Sequence, residues 1–305
     1  MKAYLNEFLS FYKYPDSAVT AFNEAYEKLE NNENLNFLLK YFYEDREKVS
    51  GKIESMMDEA AEQCDVHKYT AKWLFYALLS KQLKEEYKKA GIDEQIYIDS
   101  MEDLRYKAVE CFDVYGVWGF FATPWFYNFF RLGCFKLGRL EFEIIGLNLD
   151  NLEHKEYTVA GKTVKAGTPV INVHIPSSGE PFNKQARLDS YNKAYHFFND
   201  VLGKNIDTFA CGSWLLYDKN KEILGEKSNI VDFANDFNIL GSWEYSDPWH
   251  DMWRIFGKYG NGPAENLPRN TSLQRAYADF IQGGGIPGAS KGVFVWDDVN
   301  KTTLK

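Results

Sequence analysis

Between Gly116 and Pro124 the apolar residues change their period, and this limits the chain to folds in which a helical part precedes a part built on strands. Ahead of the change, Tyr4, Leu5, Phe8, Phe11 and Tyr12 recur at spacings of three and four, a stripe that stops at Pro15. Asp16 or Ser17 can cap a second helix carrying Val19, Phe22, Tyr26 and Leu29. Leu35, Leu38, Leu39 and Phe42 mark a third segment. Tyr69 to Lys89, with Trp73, Tyr76, Ala77 and Leu83, is a longer one ended by Gly91, and Ser100 to Tyr115 is the last. No stretch here alternates like a strand and none repeats. The pattern predicts a bundle of about five or six helices with the aromatic stripes as its core.

Beyond the cluster of glycine, threonine and proline, period two takes over. Thr123-Pro124 starts a short aromatic helix, since proline is tolerated at the first helical position. Leu140, Phe142 and Ile144 then alternate with Glu141 and Glu143, and Glu156 to Lys165 reads as a hairpin turned at Ala160-Gly161. Val170 to Ile175 is a half-buried strand, and a helix from about Lys184 to Leu202 follows it. Phe209 to Leu216, apolar on both faces, predicts a central strand. Ser228-Asn229 caps a helix carrying Ile230, Val231, Phe233 and Phe237. Met252, Arg254 and Phe256 suggest a strand within Trp249 to Gly257, Ser272 to Gln282 a helix, and Val293 to Trp296 a final strand. The expected fold class is α+β, with a helical N-terminal domain at residues 1–120 and a mixed α/β domain at residues 121–305. Phe120, Phe121, Trp125, Phe126 and Phe129 are too apolar for an exposed linker and are expected to bury where the two parts join.

Composition narrows the function. A net charge of −9 without a basic run leaves no electrostatic footprint for nucleic acid or anionic lipid. The 4 cysteines lie far apart with no CxxC pair, which argues against a zinc site and a disulfide scaffold; no metal is expected, and a reducing cytoplasm fits best. No stretch approaches the ~20 apolar residues of a membrane span. Aromatic residues make up 17% of the chain, enough for a cleft with aromatic walls.

Common motifs fail on context. Gly283-x-Gly285-x-x-Gly288 follows a helix and precedes a strand, the reverse of a dinucleotide site. Gly161-Lys162-Thr163 lacks the first glycine of a phosphate loop, and His196 with Asp200 reads as a surface pair one helical turn apart.

What remains is Val170 to Gly179, VINVHIPSSG. Ile171, Val173 and Ile175 point to one face of a strand, Asn172 and His174 to the other. Pro176 ends the strand, and Ser177, Ser178 and Gly179 form a small turn whose backbone N–H groups, ahead of a helix, suit a phosphate or pyrophosphate.

The residues resemble those of bacterial GNAT-like acyltransferases that carry a helical N-acyltransferase N-terminal domain. The resemblance rests on Leu137-Gly138-Arg139-Leu140-Glu141-Phe142-Glu143, Val173-His174-Ile175-Pro176 with Gly179, Cys211 with Ser213-Trp214-Leu215-Leu216, Ser228-Asn229-Ile230, and Leu267-Pro268 with Thr271 to Ala276. These blocks occur in the family's order over nearly the whole chain. Gly212 departs from it, standing where the family's strand is expected to carry a polar residue, often His, and the Q/R-x-x-G-x-G/A turn of the wider superfamily is absent.

The resemblance implies a GNAT-like C-terminal domain using acetyl-CoA or another acyl-CoA as donor and a small-molecule or peptide amine as acceptor. It implies that the strand before the turn splays from its neighbour, that its backbone at Val173 and Ile175 pairs with the pantetheine arm, and that Ser177, Ser178 and Gly179 take the pyrophosphate. His174, on the polar face with an intrinsic pKa near neutrality, is then the first candidate for a base, and Glu143 the second. A structural hydrogen bond at the Pro176 turn and an ordinary cross-strand pair are the plain alternatives for the two. Gly212 also leaves room for a non-catalytic ligand-binding or sensor protein on the same fold.

Overall fold

The computed structural model describes every residue except Ser50, and for Arg46, Thr123 and Pro124 the backbone alone. The chain divides into two compact units, Met1–Phe135 and Lys136–Lys305.

The first unit is helical: α1 (Lys2–Phe11), α2 (Asp16–Leu29), α3 (Glu33–Glu44), α4 (Arg46–Val49), α5 (Ile53–Gln63), α6 (Lys68–Lys89), α7 (Glu94–Met101), α8 (Asp103–Tyr115) and α9 (Thr123–Phe130). There are more helices than periodicity predicts because several breaks are nearly invisible in sequence; a single residue, Glu102, separates α7 from α8. The organising element is α6, buried on all sides through Trp73-Leu74-Phe75-Tyr76-Ala77-Leu78-Leu79, as an apolar helix surrounded by others must be. Trp73 stacks on Phe22 with centroids 3.5 Å apart and donates its indole N–H to the Leu104 carbonyl at 3.1 Å. That bond satisfies a polar group that would otherwise be buried unpaired. The aromatic helix α9 belongs to this core: Phe120, Phe126 and Phe129 are fully buried, and the Phe126 ring lies 5.7 Å from Tyr76. The division of the chain therefore falls after α9, between Phe135 and Lys136.

Strand β1 (Cys134–Leu137) runs across the division, and the second unit carries β2 (Leu140–Gly146), β3 (Glu156–Val159), β4 (Lys162–Lys165), β5 (Pro169–His174), α10 (Lys184–His196), β6 (Thr208–Ser213), α11 (Asn220–Leu224), α12 (Asn229–Ala234), β7 (Asn238–Glu244), α13 (Trp253–Phe256), α14 (Ser272–Gln282), β8 (Gly288–Asp297) and β9 (Thr302–Leu304). The main sheet runs β1-β2-β5-β6-β8-β7, with β9 also on β8, and β3 and β4 form a separate hairpin. The hairpin turns at Ala160 and Gly161, whose φ values of 48° and 77° match the left-handed turn their sequence calls for.

Register sorts the side chains of the main sheet into two faces. Phe142, Phe209 and Phe294 point to one and pack on Tyr191 of α10; Phe209 and Phe294 stack 4.9 Å apart. Opposite them, Val170, Ala210, Val293 and Val295 are covered by Val159 and Val164 of the hairpin with Leu147, Leu149 and Leu152. This second face is apolar only on the half beneath the hairpin.

Among the elements that differ from the sequence reading, β7 and α13 bear most on the domain. Strand β7 follows α12 directly, and its sequence, NILGSWE, lacks alternation because the strand is half-buried along most of its length and shifts register between Ile239 and Gly241. Trp253–Phe256 is a helix rather than a strand: Met252, Ile255 and Phe256, spaced at three and four, face Tyr277 and Ala278 of α14. The glycine motif ends in β8, where a Cβ on Gly288 would stand 2.2 Å from the Trp243 carbonyl oxygen, so the residue serves close strand approach.

One buried ion pair fixes α10. Arg187 donates from Nε to Asp236 Oδ2 at 2.6 Å and from Nη2 to Asp232 Oδ2 at 2.8 Å, and the Tyr191 hydroxyl donates to Asp236 at 3.1 Å. Replacing Arg187 with Met leaves the buried Asp236 carboxylate uncompensated. The expected loss is about 3–5 kcal/mol of stability, measured by urea unfolding followed through the tryptophan fluorescence; a change below about 1 kcal/mol would show that the pair does not lock the helix.

Candidate active site

Strand β5 is held unequally by its neighbours. To β2 it pairs along six positions, from Glu141 opposite His174 to Gly146 opposite Pro169. To β6, a parallel neighbour, it pairs through Ile171 with Phe209 and Asn172 with Ala210. Beyond Asn172 and Ala210 the ladder stops, although β5 continues to His174 and β6 to Ser213. The two strands part there.

The polar half of the sheet lies at this parting. Opposed residues of a ladder share a face, so Glu141, Glu143, Asn172 and His174 form one cluster. Glu141, Glu143 and Asn172 are buried and His174 is half-buried. His174 Nε2 stands 3.0 Å from Glu143 Oε1 and 2.9 Å from the Asn172 side-chain amide. A carboxylate oxygen accepts, so it takes the Nε2 hydrogen; Nδ1 then carries the ring's lone pair, and the Asn172 amide, which cannot donate to a protonated Nε2, donates instead to Glu143 Oε1 at 3.5 Å. The two side chains named separately as candidate bases are thus brought together across one ladder. Asn172 was legible only as a polar neighbour of His174 in the alternation, and its contact with both partners is a product of the register.

Val173 is buried in β5 opposite Phe142, and Ile175 lies one residue past the strand, half-buried. Ser177 and Gly179 are exposed, Ser178 is partly so, and the Ser178 hydroxyl accepts from the Glu180 N–H at 3.3 Å. Gly179 has φ 74°, and nothing lies within 4 Å of where its Cβ would be, so the turn is open and conformationally reserved for glycine. Helix α10 begins only at Lys184, and its N-terminus is capped by Asn183, which accepts from the Ala186 N–H at 3.0 Å. The serine turn and the helix end are consecutive features of one loop.

That loop is clamped by Arg139, which sits between β1 and β2. Its guanidinium donates to the Pro176 carbonyl at 2.9 Å and to the Glu180 carbonyl at 3.1 Å, while its backbone N–H donates to the Ser190 hydroxyl at 2.8 Å. Arg139 thus holds the Pro176 turn from the β1–β2 side. Gly212 lies just past the parting on β6, on the face of His174, with the Lys291 side chain of β8 laid across it. Among the described residues no cluster of His, Cys, Asp or Glu could hold a metal. His196 Nδ1 lies 2.7 Å from Asp200 on an exposed helix face, the expected surface pair.

Comparison with known proteins agrees with this architecture. Residues 134–294 match the family model of the GNAT-like C-terminal domain, and residues 3–132 that of the N-acyltransferase N-terminal domain. The chain belongs to the GNAT-like family carrying an N-acyltransferase N-terminal domain. No curated protein matches it. Among solved structures it is similar to a mutant acyltransferase in complex with octanoyl-CoA, at 18% identity and a TM-score of 0.75 over 98% of this chain and 87% of that one. An acyltransferase in complex with decanoyl-CoA and teicoplanin shares 17% identity, with a TM-score of 0.73 and the same coverage. A third, in complex with CoA and 10C-teicoplanin, shares 18% identity, with a TM-score of 0.74 over 94% of this chain and 86% of that one.

Removing the clamp should loosen the loop without disturbing the sheet. In Arg139→Ala, amide hydrogen exchange across residues 176–183 should quicken by about ten- to a hundredfold, the equivalent of the roughly 1.5–3 kcal/mol carried by hydrogen bonds to a charged group. Exchange at Ile144 and Ile171 should be unchanged. Equal acceleration at all of these sites would mean that Arg139 supports the whole domain rather than the turn.

Proposed function

We propose that the chain is an acyl-CoA-dependent N-acyltransferase that moves an acyl group to a small-molecule or peptide amine. The observation that carries the reading is the Glu143–His174 pair, 3.0 Å apart, on the lip where β5 leaves β6. Membership of a GNAT-like family supports it, as do structural neighbours bound to octanoyl-CoA, decanoyl-CoA and CoA. The neighbours that also hold teicoplanin or an acylated form of it favour a peptide-like amine as acceptor over a protein surface.

The parting offers the backbone of Val173 and Ile175 to the pantetheine arm, and the open turn Ser177-Ser178-Gly179 to the pyrophosphate. With the thioester lying in the parting, the acceptor nitrogen attacks its carbonyl carbon. The C–N bond forms, the nitrogen's proton passes to His174 Nδ1, and the C–S bond breaks to release CoA as a thiolate that takes up a proton. Glu143 holds the imidazole in the required tautomer and stabilises the imidazolium once the proton has arrived, and Asn172 donates to Glu143 and so steadies the carboxylate. A base placed in this way contributes typically ~10²–10⁴-fold.

The test has two stages. Calorimetric titration should show octanoyl-CoA binding to the wild type, and free-thiol release with a panel of primary amines should identify an acceptor. His174→Gln should then lower kcat by ~10²–10⁴-fold while the dissociation constant for octanoyl-CoA stays within about threefold, since the ring acts on the acceptor. Full activity in His174→Gln would remove its role as base. Absence of any acyl-CoA binding to the wild type would instead favour a non-catalytic protein on this fold.

A further inference from the structure

The residue that departs from the family pattern, Gly212, draws attention to the side chain that occupies its space. Gly212 pairs with Lys291 across the β6–β8 ladder, so both lie on the face of Glu143, Asn172 and His174. A Cβ built on Gly212 would stand 2.9 Å from Lys291 Nζ and 3.1 Å from Cε. The lysine therefore does not extend into solvent above its own strand but lies across β6 with its ammonium over Gly212. Gly212 is two residues past Ala210, the last β6 residue paired to β5, just as His174 is two residues past Asn172. The parting has His174 on one lip and the Lys291 ammonium on the other.

The ammonium's surroundings are unusual for a lysine. It is half-buried, and among the described residues it makes no ion pair or hydrogen bond within the protein. Burial pulls its pKa below the usual lysine value, and Cys211, on the other face of β6, opposes this. A cation removed from water without a counter-charge is costly to the fold, and it interacts with an incoming anionic oxygen more strongly than a solvated one would. A residue with a side chain at 212 would force the ammonium off this position. Glycine there is what lets Lys291 reach the parting.

We propose that Lys291 is a further catalytic residue of this site, stabilising the negative charge that develops on the thioester carbonyl oxygen. The inference rests on the acyl-CoA reading above. As the acceptor nitrogen bonds to the carbonyl carbon, the C=O π pair moves onto oxygen. The ammonium, which keeps its proton throughout, faces that oxyanion until the carbonyl re-forms and the C–S bond breaks. His174 takes the proton from one side of the carbonyl and Lys291 stabilises the charge from the other. This division of labour explains why the sheet carries carboxylates on β2 but a lone cation on β8. A preformed charge placed where the oxyanion appears does not have to reorganise during the reaction.

The proposal is testable before any acceptor is known. Octanoyl-CoA labelled with ¹³C at the thioester carbonyl is bound to the full-length protein, and its carbonyl stretch is recorded by infrared difference spectroscopy. In the wild type the band should lie below that of free octanoyl-CoA, the mark of a polarised carbonyl. In Lys291→Met it should return towards the free position, with octanoyl-CoA affinity by calorimetry within about threefold of wild type. Gly212→Ala keeps the lysine but displaces its flexible end, and should move the band the same way with the circular dichroism spectrum unchanged. Identical bands in wild type and both variants, with ligand bound to each, would overturn the role of Lys291 and leave the acyl-CoA reading intact. Failure of the wild type to bind octanoyl-CoA at all would overturn the acyl-CoA reading itself, and this inference with it.

Discussion

Two register pairs, Ile171 with Phe209 and Asn172 with Ala210, are all that join β5 to β6, and the layout of the polar groups in the second unit depends on the ladder ending there. Each strand is held firmly on its other side, β5 by six pairs to β2 and β6 by six pairs to β8, so the short junction weakens neither. Had the ladder continued, the inner edges of Val173 and His174 would be consumed by Cys211 and Gly212. Ending it leaves these two strand edges unpaired with each other past Asn172 and Ala210; backbone groups on such edges take their hydrogen bonds from other partners. The stacked pair Phe209–Phe294, 4.9 Å apart, anchors the joined end against α10 on the opposite face.

The same parting divides one sheet face into two environments. Beneath the β3–β4 hairpin the face is valine, alanine and leucine; past it come Glu141, Glu143, Asn172, His174 and Lys291. Polar groups are expensive to bury unless hydrogen-bonded, and the Glu143–Asn172–His174 triangle meets that condition within the sheet. The hairpin is more than decoration: it removes the apolar half of the face from water and so confines access to the polar half. Arg139 acts on the neighbouring loop in the same spirit, satisfying the Pro176 and Glu180 carbonyls so that the serine turn stays open without losing its shape.

Much of the architecture is written locally. The helical first unit, the turn at Ala160-Gly161, the strand ending at Pro176 and the helix Ser272–Gln282 with its Thr271–Gln274 capping box are all fixed by spacing and end signals within a few residues of each other. Strand β7 was not legible, because Asn238–Glu244 is half-buried along most of its length and holds its place through β8 rather than through alternation. At Trp249 to Gly257 two periods compete: Met252, Ile255 and Phe256 carry the helical spacing, whereas Met252, Arg254 and Phe256 only imitate a strand.

For the site, the sequence by itself determined that β2 and β5 each carry a polar face, since alternation of Glu141 and Glu143 with Phe142, and of Asn172 and His174 with Val173, is a local property of a pleated chain. It also determined that a serine and glycine turn follows His174. Tertiary structure alone decided that these two polar faces are one face, because the pairing of Glu143 with Asn172 joins residues on strands that are not consecutive in the chain. It alone decided that Arg139 holds the turn and that Lys291 lies over Gly212. Periodicity reports which way a side chain points from its own strand, but strand order and register, set by how the whole sheet buries its apolar surface, decide what that side chain meets.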